Sequence, residues 1–225
     1  MKRLVHLFFF TIVFINSTSA QLIELHGGLN APYFYGAQSN EPHTTRDYTN
    51  PKMGYRFGLA VGPFKGFNVR FTLQYCQYEG KVYSNTGGLG GATVINAHIN
   101  KSVLNLGVDL LNFKIGKRTE FKAGFFLGGL ISGSYSGTYY KWQLYQPAVN
   151  MTLQEKHPNY LHKMNGGFQF NLTWNLKLAE NLFLRPQIHY YLGITSELEN
   201  EPTMMRSMHG YCGIGILRKF SFKKK

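Results

Sequence analysis

Long apolar runs are missing from most of this chain. After residue 20 the longest apolar stretch extends from Phe125 to Ile131, and Gly128 and Gly129 interrupt it. A helix that crosses the hydrocarbon core of a membrane needs about 20 consecutive apolar residues. The chain beyond residue 20 therefore offers no candidate for a transmembrane helix. Any passage through a membrane would have to be made by a closed barrel of strands.

Cysteines and metal-ligand patterns are also scarce. The sequence has two cysteines, Cys76 and Cys212, and no spacing of histidine and cysteine that is typical of a metal site. The alternation described below assigns the two cysteines to opposite faces of distant strands, so we expect no disulfide between them. The glycine run from Gly87 to Gly91 follows no parallel strand and precedes no helix, and it does not predict a phosphate-binding loop. The sequence predicts neither a metal nor another cofactor.

Charged residues make up only 16% of the chain, and most are cationic, which gives a formal net charge of +13. Basic proteins often bind nucleic acid, but these charges do not form a basic stripe on a nucleic-acid-binding motif, and we expect no nucleic-acid partner. Many of the cations lie in predicted short turns: Lys65, Lys114, Lys117, Arg118, Arg218, Lys219, Lys223, Lys224 and Lys225. They are either solvated turn residues or contacts to inner-leaflet phosphates and periplasmic proteins.

Strict alternation of apolar residues with polar or small ones is the strongest pattern that the sequence does contain. Between Met53 and Gly62 the odd positions are large and apolar, whereas the even positions are glycine, alanine or arginine. A period of two predicts a β-strand with two unlike faces. Segments of this kind begin near Ile23, Met53, Phe67, Leu104, Phe121, Phe168, Leu184 and Cys212. Long and short connections alternate between them, as in an up-and-down barrel of an outer membrane.

The composition of the polar face indicates which side of the barrel is apolar. A strand surface that faces water usually carries many charged residues, but this face consists mainly of Gly, Asn, Gln and Thr. Small residues with isolated charges suit a narrow lumen, and an Arg or Lys facing lipid would cost roughly 2–4 kcal/mol. We therefore predict an all-β fold, namely an eight-stranded antiparallel up-and-down transmembrane β-barrel. The alternative is a soluble lipocalin-type barrel with its apolar face inside.

The first 20 residues have the pattern of a secretory signal peptide. Lys2 and Arg3 precede an apolar segment from Leu4 to Ile15, and small residues end at Ala20. We expect residues 1–20 to be cleaved and residues 21–225 to form a single barrel domain. The predicted location is the outer membrane of a Gram-negative bacterium, with outer-membrane lipid around the barrel.

Several charged residues fall on the lumen face of the predicted strands. We expect the carboxylates of Glu24 and Asp109 to pair with some of the lumen cations, because buried charges are costly unless they are matched. The predicted lumen charge network consists of Glu24, Arg56, Arg70, Asp109, Lys122 and Arg185. An eight-stranded lumen is only wide enough for side chains to fill. The network therefore predicts a plug and not an open pore.

Four long connections are predicted, at residues 31–51, 80–97, 133–163 and 196–207. The third is rich in Tyr, Ser and Gly, which are typical of adaptable binding surfaces. Its candidate surface-binding residues are Tyr135, Tyr139, Tyr140, Trp142 and Tyr145. The same composition also fits a β-ribbon that continues the hairpin above the membrane, and the sequence leaves both interpretations open.

Ser207 and His209 share one face at the mouth of the last predicted strand, and Glu197, Glu199 and Glu201 lie nearby in the sequence. A serine, a histidine and a carboxylate could serve a lipid hydrolase at the barrel rim. No motif enforces this arrangement, and serine and histidine often make plain polar contacts. We therefore expect a protein that is not an enzyme.

Four segments carry a family resemblance: Gly27–Asn30, Gly54–Gly62, Val103–Gly116 with Lys122–Gly129, and Gly213–Phe220. Together they make the chain similar to the small outer-membrane β-barrels of the Bacteroidota, often called PorT-like or "porin family" barrel domains. The resemblance covers roughly Gln21 to Phe220. It implies an eight-stranded barrel, in a family most of whose members have no assigned function and a few of whose members belong to a secretion apparatus. Envelope or secretion-system proteins that dock on the basic turns are thus the alternative to surface binding through the long connections.

Overall fold

The computed structural model describes residues 22–36, 44–47, 52–63, 69–156, 162–195 and 205–220. These residues form eleven strands. Their bounds are β1 Leu22–Gly36, β2 Thr44–Asp47, β3 Gly54–Val61, β4 Arg70–Gly88, β5 Gly91–Ile115, β6 Thr119–Gln143, β7 Gln146–Lys156, β8 Met164–Trp174, β9 Leu176–Ala179, β10 Leu182–Gly193 and β11 Met205–Lys219. The predicted signal peptide, residues 1–20, lies outside the described residues, and its cleavage stays a prediction.

Eight of these strands close into a barrel. The order of pairing is β1, β3, β4, β5, β6, β8, β10 and β11, and β11 pairs with β1 to complete the ring. Every one of these pairs is antiparallel, so that Leu25 of β1 lies opposite Leu59 of β3 on one side and Ile216 of β11 on the other. The predicted eight-stranded antiparallel up-and-down barrel is confirmed. Strand β2 adds to the edge of β4, β7 to β6 and β9 to β10.

The barrel is apolar outside and polar inside. Outward side chains such as Phe57, Leu106 and Ile216 are about half exposed, at 52%, 49% and 52%, whereas the lumen residues Asn30 and Thr173 are fully buried. This arrangement inverts that of a soluble barrel, and the lipocalin alternative is wrong. An outward apolar band on a closed sheet is the surface that hydrocarbon requires, because the closed ladder satisfies every backbone group in the wall.

Glycines in the lumen make room for large neighbours. A Cβ on Gly213 would lie 2.2 Å from Oη of Tyr211 and 2.5 Å from the carbonyl oxygen of Gly27. The alternation of small and large residues along β11 thus lets the Tyr211 ring lie inside the barrel. Cys76 is buried in the lumen and Cys212 is exposed on the outer face, and both are free thiols.

The two ends of the barrel differ. At one end, three residues from Gly116 to Arg118 join β5 to β6, and the chain begins β1 and finishes β11 at this same end. We call this the short-turn end; in barrels of this type short turns face the periplasm. At the other end, β4, β5 and β6 continue far beyond the barrel, and β7 lies alongside β6.

Two of the predicted long loops are in fact strands. Residues 80–97 form a continuous hairpin whose turn is Leu89-Gly90, and residues 133–156 belong to β6 and β7 around the turn Leu144-Tyr145. The physical reason is that alternating residues continue the ladder, so each segment finds hydrogen-bonding partners on a neighbouring strand. We call residues 79–102 and 132–156 the ribbon. Of the first and fourth predicted loops, the structure describes residues 31–36, 44–47 and 205–207 as strand.

No helix in the described ranges has the length and apolar character needed to cross a membrane.

Candidate functional site

Ion pairs cross the half of the lumen that lies nearer the short-turn end. The carboxylate of Glu24 on β1 accepts hydrogen bonds from Arg185 of β10 at 2.5 Å and from Arg70 of β4 at 2.7 Å. Glu24 and Arg185 are each about 1% exposed. Charges withdrawn from water to this degree are tolerated only in contact with an opposite charge. Glu24 therefore joins two of the cations of the predicted lumen charge network, Arg70 and Arg185.

Glu120 extends this network, although the sequence did not indicate it. Its Oε2 atom lies 2.7 Å from Arg185 and 3.0 Å from Lys122, and its Oε1 atom accepts a hydrogen bond from Asn175 at 3.0 Å. Arg185 thus bridges two carboxylates, Glu24 and Glu120. Glu120 follows the β5–β6 turn, where a charged residue is ordinarily solvated, so its position in the sequence did not suggest a contact in the lumen. The signal that could have indicated this contact is its spacing of two residues from Lys122, because residues two apart in a strand share a face.

Asp109 and Arg56 lie in the lumen but outside this chain of ion pairs. Asp109 accepts hydrogen bonds from the amides of Gln169 at 2.7 Å and Asn171 at 3.1 Å. Contrary to the expectation of an ion pair, none of the described cations lies within 4.0 Å of its carboxylate. Two amides on β8 occupy the position next to Oδ1 that a cation would take. Asp109 is thus held by neutral donors.

Arg56 is held by an aromatic ring. Its guanidinium lies 3.7 Å from the ring centroid of Tyr191, and it donates hydrogen bonds to Gln74 and to the sulfur of Cys76, each at 3.4 Å. No carboxylate among the described residues lies within ion-pair distance of it. A cation over an aromatic face in a desolvated site gains roughly 2 kcal/mol. The lumen therefore has two layers, one held by ion pairs and one held by rings and amides.

Histidines complete the second layer. His189 lies 4.8 Å from Tyr211 and 5.8 Å from His26, measured between ring centroids. The nitrogens of His189 lie within hydrogen-bonding distance of Gln187 and Tyr191, at 2.8 Å and 3.0 Å. These contacts are those of packed core histidines. No group of His, Cys, Asp or Glu side chains in the described part of the chain is arranged to hold a metal ion.

Ser207 and His209 do meet, with Oγ 2.9 Å from Nε2. The other ring nitrogen of His209 lies 3.4 Å from the amide of Asn30, and the Tyr78 ring packs edge-on at 4.5 Å. Both members of the pair are buried, at 2% and 6% exposure. The adjoining cavity has a volume of about 10 Å³, which holds about one water molecule and not an acyl chain. Glu197, Glu199 and Glu201 lie outside the described residues.

The aromatic residues of the predicted surface-binding segment are divided between two faces and a turn. Tyr135 packs against the buried cluster that contains Tyr78 and Ile99, and Tyr139 has the same parity. Tyr140 and Trp142 point to the opposite face, and each is more than one third exposed. Tyr145 lies in the β6–β7 turn with a φ of 63° and is 98% exposed. The five residues therefore do not form one surface.

A second set of residues shares the face of Tyr140 and Trp142. Tyr140 lies between Val94 of β5 and Asn150 of β7, and Trp142 lies opposite Ala92. Residues directly opposite one another in a ladder point to the same side. Beyond Lys81, this side of the ribbon carries Tyr83, Asn85, Val94, Asn96, Thr138, Tyr140, Trp142 and Asn150, which we call the outer ribbon face. These residues supply aromatic rings, amides and a hydroxyl, and the charged residues Glu79 and Lys81 lie on the same side nearer the barrel.

A cavity of about 490 Å³ opens at the short-turn end of the lumen. We call it the basic vestibule. Its lining comprises Lys114, Lys117, Arg118, Thr119, Glu120, Asn175, Leu176, Lys177, Phe183 and Lys219. The ammonium of Lys219 lies 4.4 Å from the ring centroid of Phe183. Four of the basic turn residues that the sequence analysis named, Lys114, Lys117, Arg118 and Lys219, therefore line one cavity.

Solved structures similar to this chain include outer-membrane proteins. Neisserial surface protein A is 10% identical, with a TM-score of 0.42 and coverage of 88% of this chain and 97% of that one. The attachment invasion locus protein Ail of Yersinia pestis is 10% identical, with a TM-score of 0.41 and coverage of 88% and 98%. OprG of Pseudomonas aeruginosa is 10% identical, with a TM-score of 0.38 and coverage of 89% and 97%.

Such low identities and TM-scores carry no inference about ligands or partners. No family model matches the sequence, and no curated protein sequence matches it. The resemblance to the small barrels of the Bacteroidota and the envelope or secretion-system partners that it implies therefore stay predictions.

Proposed function

We propose that this chain is a non-enzymatic integral protein of a Gram-negative outer membrane that binds a surface ligand through the outer ribbon face, with its lumen closed by side chains. The observation that carries the proposal is the grouping of Tyr83, Tyr140 and Trp142 among amides and hydroxyls on one continuous sheet. Rigid aromatic rings supply contact area at low entropic cost, and small polar groups supply adaptable hydrogen bonds.

The composition of this face favours an uncharged, hydroxyl-rich ligand such as a neutral glycan. The rings of Tyr140 and Trp142 offer apolar surfaces, and Asn96, Asn150 and Thr138 offer both donors and acceptors. The residues around the Tyr140 and Trp142 rings on this face, Ala92, Val94, Thr138 and Asn150, are all uncharged, so a charged ligand would find no opposite charge beside the two rings. The ladder of β4 to β7 also holds these groups in fixed register, which reduces the entropy lost on binding.

Closure of the lumen is supported by the contacts that cross it. Glu24, Arg185 and Glu120 link three strands through charge-assisted hydrogen bonds, and Arg56 stacks on Tyr191 above them. Side chains suffice to fill the interior of an eight-stranded barrel. A protein of this build acts through its ends and not through a pore.

The experiment compares binding of cells that display the barrel to a glycan array. The variant Tyr140→Ser with Trp142→Ser removes both rings from the outer ribbon face. Loss of an aromatic anchor at the centre of a binding surface costs about 2 kcal/mol or more, so affinity should fall by roughly 30-fold. Tyr139→Ser, on the other face of the same strand, is the matched control. Equal binding by the double variant and the wild type would overturn the proposal, and so would equal losses in variant and control.

A further inference from the structure

We propose that the basic vestibule binds a small soluble anion that carries phosphate groups and enters from the periplasmic side. This inference concerns the end of the barrel opposite to the ribbon, and it does not rest on the surface-binding proposal. It rests on the position, charge balance and size of the cavity.

The walls of the vestibule belong to the lumen face. Lys114 of β5 lies directly opposite Glu120 of β6, and Glu120 points into the lumen to reach Arg185. Lys177 of β9 lies directly opposite Phe183 of β10, over whose ring the Lys219 ammonium is placed. Since opposite residues share a face, these lysines surround the barrel axis. They do not project toward the surrounding lipid.

The charge around the vestibule is unbalanced. Five lining residues are cationic: Lys114, Lys117, Arg118, Lys177 and Lys219. The one lining carboxylate, Glu120, is already engaged by Lys122, Arg185 and Asn175. Within the described ranges, no carboxylate lies within 4.0 Å of any of the five cations. Like charges that line a concave site focus a positive potential into it, which raises the local concentration of anions.

The shape of the vestibule indicates the class of anion. Its volume of about 490 Å³ lies in the range of sites for small organic ligands and is far too small for a folded partner. Lysine and arginine are the usual phosphate-binding side chains. Phe183 and Leu176 add an apolar wall against which a ring could pack. Glu120 with its bound cations closes the inner end, so the anion is held there and is not conducted onward.

Isothermal titration of the full-length barrel in a zwitterionic detergent tests the proposal, with inorganic pyrophosphate as the probe. We expect one site per barrel and an affinity that falls as salt rises. Lys177→Gln with Lys219→Gln should weaken binding at least tenfold. Lys81→Gln with Lys141→Gln, in the ribbon, removes the same charge and should leave binding unchanged. Lys117→Gln with Arg118→Gln, in the exposed turn, gives a second test that leaves the walls intact.

Three results would overturn the proposal. The first is the absence of pyrophosphate binding by the wild type, and the second is an equal loss in the vestibule and ribbon variants, which would indicate a response to total charge. The third is displacement of pyrophosphate when the barrel is placed in bilayers that contain phosphatidylglycerol, which would identify a lipid headgroup as the source of the phosphate. If the first result were accompanied by binding of an acidic peptide, the ligand would be a protein partner and not a small anion.

Discussion

Arg185 and Glu24 are 161 positions apart in the chain, yet their side chains form a charge-assisted hydrogen bond across the lumen. Arg70 holds the same carboxylate oxygen from a third strand. The carboxylate therefore compensates two buried guanidinium groups at once. Removal of this carboxylate would leave Arg70 and Arg185 in the lumen without the anion that they share.

Glu24→Gln should destabilise the barrel by about 3–5 kcal/mol, the usual cost of leaving a buried charge without its partner. Urea unfolding in detergent, followed by the gel shift between folded and unfolded barrel, measures the change. Glu180→Gln, at an exposed turn, is the control and should have little effect. Glu24→Gln combined with Arg70→Gln should recover part of the loss, because Arg185 keeps Glu120. A double variant that is less stable than both single variants would contradict the pairing.

Vesicles that contain the wild-type protein should not swell in an isoosmotic solution of a pentose. The ion pairs of Glu24, Arg185 and Glu120 and the stacked Arg56 occupy the lumen, and an eight-stranded barrel leaves no further width. Swelling rates should equal those of protein-free vesicles, with a sixteen-stranded porin as the positive control. Swelling in proportion to the amount of barrel would show a continuous channel and would refute closure by side chains.

Gly213→Ala should destabilise the barrel by about 1–3 kcal/mol, the usual cost of overpacking. The new methyl group would lie 2.2 Å from the Tyr211 hydroxyl and 2.5 Å from the carbonyl oxygen of Gly27, and the backbone atom cannot move aside cheaply. Gly129→Ala is the control, because nothing lies within 4 Å of its added carbon. Both variants are compared by urea unfolding. Equal stabilities would mean that Tyr211 does not occupy the lumen beside Gly213.

The two cysteines should differ in reactivity in membranes. Cys212 is exposed on the outer, lipid-facing surface and Cys76 is buried in the lumen. An apolar maleimide that partitions into the bilayer should label one thiol per chain, and Cys212→Ser should abolish the labelling. A charged, water-soluble maleimide should label neither thiol until the barrel is unfolded. Labelling of Cys76 in the folded protein would contradict its position.

The strands were predictable because alternation is local. A period of two identifies the lumen face directly, and Arg56, Arg70, Asp109, Lys122 and Arg185 all lie on the polar side of strands that the sequence marks clearly. Which of these charges meet could not be predicted, because contacts across a lumen depend on side-chain length and on the tilt and stagger of distant strands. The hydrogen bonds from Gln169 and Asn171 to Asp109 are examples of contacts that the sequence could not predict.

Two β-bulges explain the side-chain orientations that the sequence did not predict. Ile131 is an extra residue on β6, because Ser102 pairs with Ser132 whereas Val103 pairs with Leu130. A bulge exchanges the two faces of the strand beyond it. It therefore decides that Tyr140 faces outward and Tyr135 inward. The alternation of apolar and polar residues in the sequence does not reveal where a bulge lies, so it does not show that the two faces of the strand are exchanged beyond that residue.

The second bulge, at Leu110 of β5, acts in the same way at the opposite end. Asp109 pairs with Gly124, but Leu111 pairs with Ala123, and so Lys114 faces the vestibule and not the lipid. Without this extra residue the parity of Asp109 would have turned Lys114 outward. The sequence therefore could not show that Lys114 faces the vestibule, because its orientation depends on this one extra residue.

The bond between Arg185 and Glu24 also has a consequence for how the barrel enters its membrane. Strand β1 is synthesised first and β10 is among the last, so each carries an incompletely compensated charge until the ring is almost complete. A charge on an isolated strand is costly in hydrocarbon. We therefore expect the chain to enter the bilayer as a nearly closed sheet that shields its own ions, with the seam between β11 and β1 completing the ring.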